Sequence, residues 1–226
     1  MPRVAWTKAA IRRLVETLEA QYGMGDERKR LDPMDELISC ILSQHTSDAA
    51  SFPTFFRLRE RHPSWEQVAH LSERRLADEI RAAGLANQKA RAIRSVLREL
   101  SARFGGYTLE PLRKMEMDEA RRFLLSLPGV GPKTAAIVLC FGFGLPAIPV
   151  DTHVFRVSWR LGLIEKRVGA DRAHRLLEQM VPPDLAYRFH VALIRHGRRT
   201  CHARKPACGV CMVRRRCAWY RESRGQ

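Results

Sequence analysis

No stretch of this 226-residue chain approaches the roughly 18 consecutive apolar residues that a membrane span requires. The opening segment MPRVAWTKAAIRR has no apolar core of the kind a secretory leader carries. The expectation is therefore a cytoplasmic protein, nucleoid-associated if bacterial, with no membrane partner. Segments that alternate apolar and polar residues beside a hairpin signal are missing too, which argues against sheets. There is no internal repeat, and no low-complexity tract apart from an arginine-rich tail. Acid is the scarce charge: 24 Asp and Glu face 40 Lys and Arg, giving a net +16. That balance points to an anionic partner, with nucleic acid ranked first and a merely solvated basic surface as the bland alternative. The excess is unevenly spread, since residues 196–226 hold nine Lys and Arg against one acidic residue. In a reducing cytosol disulfides are rare, so the six cysteines suggest metal ligation, chemistry or burial.

What is present is helix after helix, in a length that suits one or two domains. Thr7 is placed to cap a helix whose Ile11, Leu14, Val15 and Leu18 form one stripe, with Gly23 as its stop. Asp32 and Pro33 read as cap and first residue of MDELISCILSQHT. Asp48 is expected to cap the next helix, with Pro53 forcing either a start nearer Ser51 or a kink. Ser64 and Gln67 make a capping box, and Ser72 opens a short helix toward Gly84. Leu85 stands in a turn before a long helix that Gly105-Gly106 ends. Asp118, Asp151, Asp171 and Asp184 are read as caps of later helices, the last of which is expected to stop at His196-Gly197. The fold class is all-α.

Residues 127–151, LPGVGPKTAAIVLCFGFGLPAIPVD, join three features. Gly129 and Gly131 interrupt two helical patterns and let backbone amides approach a phosphate without a Cβ in the way. An ordinary turn between helices reads equally well from Gly-x-Gly alone. Pro132 suits a first helical position, which puts Lys133 in the first turn, where the macrodipole disfavours an ammonium. A phosphate contact, a nucleophilic amine and a plain surface lysine are the three readings. Asp151 is an N-cap, or a carboxylate that also takes a proton or steadies a cation.

Cys201, Cys208, Cys211 and Cys217 follow C-x6-C-x2-C-x5-C. Four thiols so spaced are a strong metal signal, and spacing alone leaves zinc and an iron-sulfur cluster on a par. Cys40 and Cys140 fall in apolar helices and read as core.

LPGVGPKTA followed by VDTHVFRV resembles the helix-hairpin-helix DNA glycosylases, and specifically the endonuclease III family. The resemblance spans nearly the whole chain. LSQHTSD at 42–48 is similar to that family's LSxQxTD helix end, GLANQKA at 84–90 to its DNA-wedge loop, and HGRRTC at 196–201 leads into the cysteine set. The implied architecture is two helical lobes: a six-helix barrel with the hairpin at residues 27–145, and an iron-sulfur lobe built from 1–26 and 146–226. The implied activity is that of a bifunctional DNA glycosylase and AP lyase of base excision repair. Lys133 would be the nucleophile and Asp151 its partner, removing oxidised pyrimidines through a Schiff base and nicking the strand by β-elimination. The four cysteines would hold a 4Fe-4S cluster that carries a basic loop with Arg204 and Lys205. Gly129, Gly131, Leu85, Gln44 and His45 complete the expected contacts to double-stranded DNA with a damaged base or abasic site, bound by a monomer, and His153 and Arg156 are expected to support phosphate binding or local packing. His45 stands where the family usually has glutamine. The competing readings are a monofunctional glycosylase and a non-catalytic DNA-binding protein with a structural metal.

Overall fold

The computed structural model describes residues 5–23 and 31–224, and among these there is helix, turn and loop but no strand. Twelve α-helices are described: α1 Lys8–Tyr22, α2 Pro33–Ser43, α3 Asp48–Arg61, α4 Trp65–His70, α5 Glu73–Glu79, α6 Ala86–Phe104, α7 Met117–Ser126, α8 Pro132–Ile137, α9 Thr152–Leu161, α10 Gly169–Met180, α11 Ala186–Arg199 and α12 Ala218–Arg224. The chain divides into two compact units, one of residues 31–143 and one of 1–30 with 144–226. The expected lobe boundary at residues 26 and 27 lies outside the described residues.

The first unit, α2 to α8, is arranged around α2. Asp32 caps this helix by accepting from the Met34 amide at 2.9 Å, and Pro33 starts it. Pro33, Met34, Leu37, Ile38, Ser39, Cys40, Ile41 and Leu42 are all buried, so α2 is apolar nearly all round, as a helix enclosed by others must be. It packs against α3, α6, α8 and the turn that follows α8. That turn, Val138–Gly142, is π-helical, and the Phe143 amide reaches the Val138 carbonyl at 3.1 Å. Gly142 lies against α2 so closely that a Cβ there would come within 2.8 Å of the Pro33 Cα. The capping box at Ser64 and Gln67 forms in both directions.

The second unit packs α1, α9, α10 and α11 around Ile11, Val15, Leu18, Val154, Val157, Leu177, Phe189 and Leu193. Thr7 caps α1 by accepting from the Ala10 amide, Gly23 ends it, and Ile11, Leu14, Val15 and Leu18 are buried as their spacing predicts. Two carbonyls between the units' boundary and α9 are answered by buried imidazoles: His174 Nδ1 meets Ile148 O at 2.8 Å and His190 Nδ1 meets Pro149 O at 2.7 Å.

Three helix starts differ from expectation for one reason. Asp48, Asp118 and Asp171 lie in the first turns of α3, α7 and α10, while Ser47, Glu116 and Val168 precede those helices. An aspartate is favoured both at a cap and beside the positive helix end, so its presence marks a start without fixing the register. Asp184 belongs to a short 3₁₀ turn, Pro183–Leu185, ahead of α11. Helix α3 begins at Asp48 and accommodates Pro53 within it. Helix α11 does not stop at His196-Gly197 but runs on to Arg199. Gly197 is a packing glycine, since a Cβ there would meet the His153 Cβ at 2.9 Å and an Arg156 nitrogen at 3.2 Å.

Candidate active site and cysteine pocket

Three loops of the first unit carry candidate residues. The hairpin between α7 and α8 turns at Gly129, whose φ of +77° is open to glycine at little cost. The Val130 amide is used within the turn, on Leu127 O, and the Ala135 amide closes the first helical bond to Gly131 O. The Gly131, Lys133 and Thr134 amides precede that bond and belong to the set a helix start leaves without helical acceptors. Lys133, second residue of α8 behind Pro132, is exposed. Such a turn concentrates donors and a positive charge where an anion would lie.

The other two loops follow α2 and precede α6. Half-buried Gln44 donates from Nε2 to Gly129 O at 2.9 Å, so the α2 end is tied to the hairpin. His45 beside it is exposed and held at φ +53°. Leu85 is also left-handed, at φ +48° and ψ +36°, and is 52% exposed. A large aliphatic residue that is both strained and exposed is a local cost with no packing return, which marks it for function. Lys89, given no role from the sequence, is 3% exposed and lies behind both loops. Its position in an apolar stripe of α6 hides it, because a lysine there looks like one more exposed charge.

The second unit carries Asp151, whose Oδ1 accepts from the Val154 amide at 2.7 Å and caps α9. That bond leaves Oδ2 outside the cap. His153 and Arg156 on the next turns are committed to packing. Arg156 Nη2 donates to Gly197 O at 2.9 Å and contacts His153 Nδ1 at 3.0 Å, and its Nε donates to Cys201 O at 3.0 Å. The guanidinium thus answers carbonyls at the C-terminal end of α11 and just beyond it.

Cys201, Cys208, Cys211 and Cys217 line one pocket, together with Val157, Leu161, Val213 and Trp219. No disulfide joins any of the six cysteines, and Cys40 and Cys140 are buried apart from this set, as expected. Burial and the neighbouring thiols push Cys208 and Cys211 above the ordinary thiol range, and Cys217 up to about 11. Thiols raised in this way hold their protons unless a cation takes their place, which is the chemistry of a metal-ligand set. Among the described residues no three His, Cys, Asp or Glu side chains converge on a single ion, and the thiols ring the pocket instead. Arg160, 7% exposed, donates to Cys201 Sγ at 3.3 Å, to His202 O at 2.7 Å and to Ala203 O at 3.0 Å, and stacks over Trp219. It fixes the start of the loop on which Arg204 and Lys205 stand exposed, the latter at φ +48°. His196 places Nε2 3.8 Å from Cys211 Sγ and Nδ1 2.8 Å from the Tyr22 hydroxyl. Neither Arg160 nor His196 is marked by composition. Arg160 declares itself through Cys201, 41 residues on, and His196 through Tyr22, 174 residues earlier.

Residues 38–183 match the HhH-GPD superfamily of base excision DNA repair proteins. Endonuclease III of Thermotoga maritima is 36% identical over 193 residues, 85% of this chain and 86% of that protein. Endonuclease III of Sulfolobus acidocaldarius is 31% identical over 186 residues, covering 81% of each. The structure of a trapped covalent intermediate of an endonuclease III with DNA superposes with a TM-score of 0.80 at 30% identity, over 97% of this chain and 100% of that one.

Proposed function

The chain belongs to the endonuclease III family of the HhH-GPD superfamily, the base excision repair DNA glycosylases, and on that premise we propose that it is bifunctional, excising a damaged base and then nicking the strand. The observation that carries this reading is Lys133, an exposed amine in the first turn of α8 directly after the glycine hairpin. A cation at that end of a helix is disfavoured by the macrodipole, so its placement calls for an anionic or electrophilic partner. A relative trapped in a covalent intermediate with DNA supports a nucleophile in this fold.

In the proposed reaction the Lys133 Nζ, as free amine, forms a bond to C1′ while the C1′–N bond breaks and its electrons leave with the base, which takes up a proton. The nitrogen sheds a proton, the sugar ring opens, and a Schiff base results. Loss of a C2′ proton then breaks the C3′–O bond by β-elimination, and water releases the lysine. Asp151, with Oδ1 held by the α9 cap, serves as proton acceptor and as counter-charge to the developing sugar cation through its remaining oxygen. The target nucleotide must leave the stack first, and Leu85 and His45, both exposed and left-handed, are the residues proposed to enter the gap. Between the neighbours Gln44 and His45, Gln44 is bonded to Gly129 O and His45 is the exposed one. Gly129, Gly131, Arg204 and Lys205 are assigned to phosphates, whereas the bonds of His153 and Arg156 support a packing role. The family resemblance favours oxidised pyrimidines in duplex DNA, and abasic sites, as substrates of a monomer.

Cys201, Cys208, Cys211 and Cys217 are the residues that would hold a 4Fe-4S cluster, a reading supported by the family resemblance and by the four thiols lining one pocket. Such a cluster, coordinated on all sides, supplies structure: it would anchor the loop of Arg204 and Lys205. No helix among the described residues is long and apolar enough to cross a membrane, in keeping with a cytoplasmic or nucleoid location.

Borohydride reduction during turnover on duplex containing an oxidised pyrimidine is expected to trap a covalent adduct, and Lys133→Gln to abolish it. Base release by the wild type without any adduct would remove the lyase step.

A further inference from the structure

Lys89 is the one candidate that ties together features left unexplained above. Its ammonium has three N–H donors and spends each on one acceptor: Leu42 O at 2.6 Å, Thr46 Oγ1 at 2.8 Å and Ala83 O at 2.8 Å. The Thr46 hydroxyl in turn donates toward Ala83 O, with Gln44 O at 3.2 Å. The backbone amide of Lys89 bonds Leu85 O at 3.0 Å. Leu42 and Thr46 flank the turn that holds His45 left-handed, and Ala83 and Lys89 flank Leu85 in the same way. Two strained, outward residues on loops about 40 positions apart therefore share one buried ammonium. Gln44 extends the same network to the hairpin through Gly129 O.

Among the described residues no carboxylate partners the ammonium, and burial lowers its pKa. The carbonyl of Leu42 in the last turn of α2 and that of Ala83 at the end of its 3₁₀ turn supply compensating negative ends. A charge buried on those terms is expensive, and an apolar side chain of the same length would fill the space. What an apolar side chain would not do is bind three acceptors on two loops at once.

We propose that Lys89 is a positioning residue that locks the His45 and Leu85 turns into one rigid wedge, so that displacement of the target base depends on its ammonium. This rests on the reading that those two residues enter the duplex. The lysine touches no reacting atom in this role.

Lys89→Met keeps the length and loses all three donors. On duplex with a damaged base, its single-turnover excision rate is expected to fall tenfold or more, with the fluorescence rise of 2-aminopurine placed opposite the lesion reduced in parallel. On an abasic site opposite a one-nucleotide gap, where no base has to be displaced, borohydride trapping is expected to stay within twofold of wild type. Thr46→Val, which removes one acceptor, is expected to show the same pattern more weakly, with Thr46→Ser restoring it. Should Lys89→Met fail to fold by circular dichroism, the Thr46 pair decides by the same readouts. Equal losses on both substrates would overturn the proposal in favour of a merely structural lysine. Unimpaired duplex excision in these variants, beside an impaired Leu85→Ala, would overturn the Lys89 role alone. If Leu85→Ala and His45→Ala both leave excision and fluorescence unchanged, the wedge reading fails and the proposal with it.

Discussion

In the proposed mechanism Asp151 combines its cap with a catalytic duty, and one substitution can separate the two. Its cap on the Val154 amide asks only for a short side chain with an acceptor oxygen, whereas proton transfer asks for a carboxylate. Asp151→Asn is therefore expected to unfold within about 0.5 kcal/mol of wild type while excision falls by about two to four orders of magnitude. Asp151→Ala should add a stability loss of about 1 kcal/mol from the missing cap. Urea denaturation beside single-turnover excision checks both, and unchanged turnover in the asparagine variant would take Asp151 out of the mechanism. Glu79 offers a second residue-scale case. Burial pushes its pKa up, but hydrogen bonds and charge from Arg61 and His62 outweigh this and hold it below the ordinary value of 4.5. Arg61 lies at 3.1 Å, Arg75 at 3.3 Å and His62 at 3.5 Å from a carboxylate that is 5% exposed. Because the folded value is depressed, the stabilisation is complete above the unfolded value and is lost as pH falls through the folded one. Glu79→Gln should cost about 1 kcal/mol at pH 7, a difference that closes in acid-titrated melts.

At the scale of elements, two glycines carry the helix packing. Gly142 brings the π-helical turn after α8 onto α2, and Gly197 brings α11 onto α9. Alanine in a helix is otherwise favoured over glycine by about 1 kcal/mol, so the clash decides the sign. At Gly142 the obstacle is the Pro33 backbone at 2.8 Å, which has no rotamer to yield, and Gly142→Ala is expected to destabilise by about 1–3 kcal/mol in thermal melts. Helix positions and their apolar faces were legible in the sequence, since period, caps and stop glycines are written in contiguous residues. The register of several starts was not, because Asp48, Asp118 and Asp171 satisfy the first-turn preference as well as the cap preference. The end of α11 was misread at Gly197 because the close neighbour that requires glycine, His153, lies 44 residues earlier in the chain.

For the whole molecule the governing quantity is charge, net +16 with a basic C-terminal segment. Binding to duplex DNA should weaken linearly in log salt, and neutralising Arg204 and Lys205 together is expected to lower the magnitude of that slope by about two. Removing the iron of the proposed cluster is expected to reproduce the same change, because the loop bearing both residues would lose its anchor at the four thiols. Fluorescence anisotropy across a salt series, with and without chelator, measures it. A slope insensitive to iron would separate the loop from the cluster.

The sequence by itself determined the all-helical class, the glycine hairpin with Lys133 behind it, the Asp151 cap, the four-cysteine set and the sign of the charge. Each of these is a local pattern or a sum over the chain. Only the tertiary structure decided how polar donors are spent: Lys89 on three acceptors between two loops, Arg156 on the end of α11, Arg160 on Cys201 and its loop, and Gln44 on the hairpin carbonyl of Gly129. The physical reason is that a backbone conformation is set by adjacent residues, whereas a polar donor must find its acceptor wherever folding brings one, and each of these four has an acceptor 40 or more residues away.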